Sequence, residues 1–167
     1  ARDIVTREIE RNKFQKTNIF DLFENNILPF YKNKTFNIVL VCKDKEIEAY
    51  LHIESFVDAI GNIIRNAEMH AFSDNIADPV LRFEIDEDIN VEEIIIDYTN
   101  NGIPFPSSMS ADEYLSFGKK SKNSKGDGLG GAWIGKVIEA HDGAFEIIRD
   151  NNPVHFRLTF PQGVQTK

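Results

Sequence analysis

The sequence predicts a two-layer α/β sandwich, in which helices cover one face of a mixed, mostly antiparallel sheet. Three observations predict it. Three segments have helical apolar spacing, several β-rich runs are separated by short turns, and the two kinds of segment alternate along 167 residues without a repeat or an internal linker. The composition, 41% hydrophobic with 13 Phe, supplies a real core and excludes a disordered or low-complexity chain.

Residues 3–15 are charged, with Ile4, Val5 and Ile9 as apolar positions, and read as the end of a helix that continues upstream. Ile19, Phe20, Leu22, Phe23, Ile27, Leu28 and Phe30 have helical spacing, and Pro29 stops it. FNIVLVCK (36–43) and EIEAYLHI (46–53) flank Asp44 and Lys45, which predicts a hairpin. The clearest helix is 55–72, with Phe56, Ile60, Ile63, Ile64, Ala67 and Ala71 on one face. Asn62, Asn66 and Met69 gather on the other side, with His70 beside them. PVLRFEID and VEEIIIDYTN predict two strands joined by an acidic, solvated turn around Asp86–Asp88. Residues 102–129 are irregular and rich in Gly, Ser and Lys. A second helix is predicted over 130–141, with Ile134, Val137, Ile138 and His141 on one face and Gly143 as its C-terminal cap. AFEIIRD and HFRLTFP close the chain as a hairpin.

Lys and Arg number 19 and Asp and Glu 27, a formal net charge of -8. That balance argues against a nucleic-acid partner, so any anion site must be local. Cys42 is the one cysteine, which excludes an internal disulfide and fits a reducing compartment. Its place in the run IVLVC predicts a buried, inert thiol. Apolar runs fall far short of the ~20 residues that span a bilayer. The charged start, ARDIVTREIERNK, is not a signal peptide, and without an initiator Met the chain reads as a piece of a longer protein. A cytoplasmic location is expected, whether or not the parent protein is membrane-anchored.

Three segments carry chemistry. In GDGLGG (126–131) the chain concentrates glycine, with five of its ten glycines between 126 and 135. A glycine-rich turn feeding a helix N-terminus presents backbone N–H groups and positive potential to an anion, and phosphate is the natural ligand. Lys119, Lys120, Lys122 and Lys125 precede it directly. The string formally matches G-x-G-x-x-G, but FGKKSKNSK before it cannot be the buried strand a dinucleotide fold requires. The G-x-x-x-x-G-K-[ST] loop and the V-A-I-K and H-R-D elements of protein kinases are absent. The second segment holds Asn62 and Asn66 at i,i+4, with His70 one turn on. An Asn carbonyl is a neutral, hard oxygen ligand suited to a Mg²⁺ ion that bridges phosphates, although Asn on the outer face of an amphipathic helix needs no such role. The third is YTNNGIPFP (98–106), where Asn100 can present an amide to a base edge and Gly102 lets the backbone approach a flat ligand.

In this order and spacing, the three segments resemble the GHKL ATPase superfamily. They look most like the ATP-binding catalytic domain of bacterial sensor histidine kinases. NIIRNAEMHA is similar to the N box, with Asn66 at the magnesium-binding Asn and His70 at a position that often contacts phosphate. TNNGIPFP resembles the first glycine box, D-N-G-x-G-I-P, and places Asn100 at the adenine-recognising Asp. GDGLGGAWIGKVIEAHDG resembles the second glycine box with its helix, G-T-G-L-G-L-x-I-V-x-x-I-V-E-A-H-G-G. The resemblance spans residues 16–161. Pro104 stands at the box's second glycine, Met69 at a frequent Lys, and Val154-His155 at the usual Gly-Thr before the last strand.

The resemblance implies a Bergerat ATP-binding fold over 16–167, with 1–15 as the end of an upstream dimerisation helix and linker. It implies ATP and Mg²⁺ as cofactors, held between the 55–72 helix and a 107–129 lid. The nucleotide-binding residues are then Asn62, Asn66, His70, Asn100, Gly102, Phe105, Lys119, Lys122, Gly126, Gly128, Leu129 and Gly130, with Asn66 as the metal ligand. The γ-phosphate would pass to a histidine on a separate domain, of the same chain or a partner chain, in two-component signalling. A response regulator is an indirect partner, and the parent is expected to be a homodimer. His52, His70, His141 and His155 all lie inside the catalytic-domain pattern, so none is the phosphoacceptor. His141 is expected as a structural residue favoured by the helix dipole, and His52 and His155 as strand positions, with no zinc-type cluster. No catalytic side chain is assigned.

Position 62 separates the branches. Hydrolysing and serine-phosphorylating relatives usually carry a Glu there to activate the nucleophile, and Asn cannot act as a general base. Histidine kinases commonly carry Asn, because the attacking imidazole is already nucleophilic. Two alternatives remain: a serine kinase of the anti-sigma-factor type, and a degenerate domain that binds nucleotide or a partner without catalysis.

Overall fold

The structure is a computed structural model that describes residues 8–116 and 130–163. Its strands are β1 (Gln15–Asn18), β2 (Asn37–Cys42), β3 (Glu48–Leu51), β4 (Val80–Asp88), β5 (Glu93–Asn100), β6 (Ala144–Ile147) and β7 (Val154–Pro161). The α-helices are α1 (Ile19–Leu22), α2 (Ile53–Asn66), α3 (Ala111–Tyr114) and α4 (Gly131–Ala140). Five strands form the main sheet in the order β2-β4-β5-β7-β6, while β1 and β3 form a separate antiparallel pair. Within the main sheet β2–β4 is parallel and the other pairs are antiparallel.

Alternation along β5 explains the layering. Ile94, Ile96, Tyr98 and Asn100 are buried, and the residues between them are half-buried. Phe83 of β4 and Leu158 of β7 share the inner face and, like Ile96, are almost wholly buried. Phe56, Ile60, Ile63 and Ile64 of α2 and Trp133, Ile134 and Val137 of α4 complete the same core. Burial of this apolar surface is the main force holding the helical layer to the sheet.

The segment 36–53 departs from the expected hairpin. The chain does turn at Asp44, whose Oδ1 accepts from Glu46 N at 2.9 Å. β3 then leaves β2 and pairs with β1, Ala49 opposite Thr17. β2 pairs instead with β4, Leu40 opposite Phe83. A parallel pair needs a long crossover, and β3 with α2 supplies it. Asn18 caps α1 by accepting from Asp21 N at 2.9 Å, and the predicted 19–31 helix loosens into a wider turn over Phe23–Ile27 and a tighter one over Leu28–Tyr31. Of the expected upstream helix end, residues 1–7 lie outside the described residues, and 8–14 hold one tight turn at Arg11–Lys13.

Cys42 ends β2 half-buried, and burial holds its thiol above the ordinary value. Among the described residues, no helix is long and apolar enough to cross a membrane.

The C-terminal cap of α4 also differs from expectation. Asp142, not Gly143, adopts the left-handed conformation, with φ of 55°. Gly143 N donates to Ile138 O and Asp142 N to Glu139 O, both at 2.9 Å, which closes the helix end. Gly143 is needed for space: a Cβ there would lie 2.4 Å from Thr159 O.

Candidate nucleotide site

The site begins where a glycine at the start of one helix packs against an asparagine side chain of another. Gly130 precedes α4, and a Cβ on it would lie 2.3 Å from Cβ of Asn62 on α2. This contact brings the start of α4, the positive end of its helix dipole, against the middle of α2. Asn62 is therefore buried, at 5% exposure, rather than part of an outer polar face. Its Oδ1 accepts from Arg65 Nη2.

Asn66 lies one turn further along α2, half-buried. Its Nδ2 donates to Tyr114 Oη at 2.8 Å. Among the described residues no donor reaches Asn66 Oδ1, so its carbonyl oxygen is left for another partner. A neutral, hard oxygen in that position fits Mg²⁺, which keeps waters and takes few protein ligands. Met69 and His70 are exposed on the wide turn Ala67–Ala71 that follows α2, and His70 O accepts from Ser73 Oγ at 3.0 Å.

The end of β5 packs onto that turn. Ile103 N donates to Ala71 O at 2.8 Å, and a Cβ on Gly102 would lie 2.4 Å from the same oxygen. Glycine at 102 thus permits a backbone-to-backbone contact with Ala71. Asn100 is buried at 5% exposure. Its Oδ1 accepts from Gly102 N at 2.9 Å and its Nδ2 donates to Tyr98 Oη at 2.8 Å. Burial raises the Tyr98 phenol far above its ordinary value, so it stays neutral.

Phe105 is half-buried in an aromatic group, 5.6 Å from Tyr114 and 5.3 Å from Phe156 between ring centroids. Its segment is held from below by Arg149, whose guanidinium donates to Pro106 O at 3.1 Å and Met109 O at 2.6 Å. Lys119, Lys122, Gly126, Gly128 and Leu129 lie outside the described residues, as does 117–129 of the expected lid. The structure thus brings Asn62, Asn66 and Gly130 together, sets Asn100 and Gly102 at the adjoining end of β5, and places Phe105 against Tyr114 of α3.

Tyr114 is the site residue that sequence reasoning missed. It sits in α3, inside a stretch read as irregular. The signal was present: Ser110 and Glu113 form a capping box, with Glu113 N donating to Ser110 Oγ at 3.1 Å and Ser110 N to Glu113 Oε1 at 2.9 Å.

The histidines separate by role. His52 is not in a strand but caps α2, its Nδ1 accepting from Ser55 N at 3.2 Å. His141 accepts from His52 N through Nε2 at 3.1 Å and donates through Nδ1 to Val137 O at 2.8 Å. Burial pushes its pKa down to about 4, so it is a neutral structural residue rather than a cation favoured by the helix dipole. His155 is a strand residue as expected, on the sheet face away from the helices. Its ring nitrogens lie 2.6 Å from Asp97 Oδ1 and 2.8 Å from Asp150 Oδ2. The hydrogen bond from His155 holds the Asp150 carboxyl below its ordinary value.

No protein-family model matches the chain, and no curated protein matches it. Solved structures do. The nucleotide-free catalytic domain of the histidine kinase ThkA superposes with a TM-score of 0.72 at 16% identity, over 90% of this chain and 96% of that one. The mycobacterial sensor histidine kinase MprB gives 0.69 at 13% identity, over 91% and 99%. The ATP-binding domain of PrrB from Mycobacterium tuberculosis gives 0.66 at 15% identity, over 92% and 99%. With a shared sheet and helical layer over nine-tenths of its length, this chain has the fold of sensor histidine kinase catalytic domains, an α/β sandwich.

Proposed function

We propose that this domain binds Mg·ATP and delivers the γ-phosphate to a histidine on a separate domain, as the catalytic part of a two-component sensor kinase. One observation carries the reading: Gly130 and Asn62 pack so closely that the start of α4 faces the helix bearing Asn66. An anion-binding helix end then lies beside a metal-suited oxygen, the pair a triphosphate with its Mg²⁺ needs.

In this reading Asn66 is the Mg²⁺ ligand. Gly126, Gly128, Leu129 and Gly130 receive the phosphates, with Lys119, Lys122 and His70 as charge partners. Asn100, Gly102 and Phe105 form the base end. Bound magnesium would neutralise phosphate charge. The chain itself orients the nucleotide, so catalysis is positioning with little covalent chemistry. Asn62 carries no proton-abstracting group, so position 62 supplies no base to activate water. Slow hydrolysis by the domain alone follows. The parent would work as a homodimer and pass the phosphoryl group to a response regulator.

The test incubates labelled ATP with the domain, then with a longer chain that includes the upstream helical region. The expected result is negligible hydrolysis by the domain and an acid-labile phosphohistidine on the longer chain. Rapid multiple-turnover hydrolysis by the domain alone would overturn it in favour of the hydrolysing branch. An acid-stable phosphoserine on a partner would favour the anti-sigma-factor type.

A further inference from the structure

Tyr114 of α3 reaches the Asn66 end of the site. It is 5% exposed, and its ring is fixed on three sides: stacked on Phe145 at 5.7 Å, edge-on to Phe105 at 5.6 Å and tilted against Phe156 at 5.1 Å. A ring clamped in this way places its hydroxyl at one point. That point is 2.8 Å from Nδ2 of Asn66. The hydroxyl accepts from the Asn66 amide nitrogen. An amide has one nitrogen and one carbonyl, so engaging the nitrogen fixes which way the oxygen faces.

We propose that Tyr114 is a positioning residue for the metal: its hydroxyl holds the Asn66 amide in the orientation that offers Oδ1 to Mg²⁺. The inference rests on the reading of Asn66 as the magnesium ligand and adds a residue from α3, 48 positions away, to that ligand's support. Loss of a group that orients a metal ligand through its second atom typically costs about 10–100-fold in metal affinity. The link also joins α2 to α3, so loss of the hydroxyl frees the amide to turn its NH₂ toward the metal, where it repels rather than binds.

Tyr114→Phe removes the hydroxyl and keeps the ring packing. A fluorescent ATP analogue is titrated into the wild type, Tyr114→Phe, Asn66→Ala and the double variant, each with Mg²⁺ and with EDTA. The expected result is about tenfold weaker binding by Tyr114→Phe in Mg²⁺, unchanged binding in EDTA, and no further loss when it is added to Asn66→Ala. A merely structural role would weaken both conditions alike and would overturn the proposal. So would wild-type affinity in both conditions. Tighter Mg²⁺-dependent binding would make the hydroxyl a competitor for Asn66 and would also overturn it. If Asn66→Ala itself binds like the wild type in both conditions, the underlying assignment of Asn66 has failed, an outcome distinct from a silent Tyr114→Phe.

Discussion

Asn62 and Gly130 touch so closely that any side chain at 130 would occupy the space of the asparagine, 2.3 Å from its Cβ and 2.4 Å from its Cγ. The backbone at Gly130, φ -92° and ψ -6°, is one that alanine adopts freely, so space and not conformation demands glycine. Gly130→Ala is expected to force α4 from α2 and to cost about 2 kcal/mol, within the usual range for overpacking. Urea denaturation checks this. Wild-type stability would mean that the two helices can separate without cost.

His141 makes a second prediction. Its pKa is about 4 in the folded protein, against an ordinary value near 6.5. Between those values the unfolded chain binds a proton that the folded one refuses. Stability is therefore full above about pH 6.5 and falls as pH drops toward 4, with about 2 kcal/mol lost between pH 7 and 5. His141→Gln, which has no proton to take up, should show a smaller loss over that interval. Equal losses in thermal unfolding midpoint for the two proteins would contradict this.

Asn100 makes a third. Its two amide atoms satisfy Gly102 N and Tyr98 Oη inside the protein. Asn100→Leu strands both groups in an apolar setting and should cost about 2–3 kcal/mol in chemical denaturation. Asn100→Asp retains an acceptor for each, since the Tyr98 hydroxyl can turn to donate, and should stay within about 1 kcal/mol of the wild type. A stable Asn100→Leu would show that water replaces the lost bonds.

Much of this architecture was legible in the sequence. Residues 55–72 read as a helix because Phe56, Ile60, Ile63 and Ile64 recur at helical spacing and all are buried. The β4–β5 and β6–β7 pairs read as hairpins because alternating runs flank short turns, and both pairs formed. The hairpin at 36–53 did not form, because local turn chemistry at Asp44 cannot say whether a strand pairs with its neighbour or with one forty residues on. The parallel register of Leu40 with Phe83 is set by the sheet as a whole. Within the site, the order of the boxes marked Asn62, Asn66 and Asn100. It could not show that Asn62 is buried, that Gly102 serves Ala71, or that Tyr114 reaches Asn66, because each depends on contacts between distant segments. Asp142 took the left-handed turn that Gly143 was expected to take, a conformation short polar residues tolerate, while Gly143 is glycine because Thr159 O leaves no space for a Cβ.

The reading as a nucleotide-binding domain is tested most directly by calorimetric titration of ATP into the domain, with Mg²⁺ and with EDTA. The expected result is one saturable site per chain, tighter with Mg²⁺, and an Asn66→Ala variant that loses the magnesium-dependent part of the affinity. Absence of binding at millimolar ATP in both conditions, by a protein that unfolds cooperatively, would contradict it.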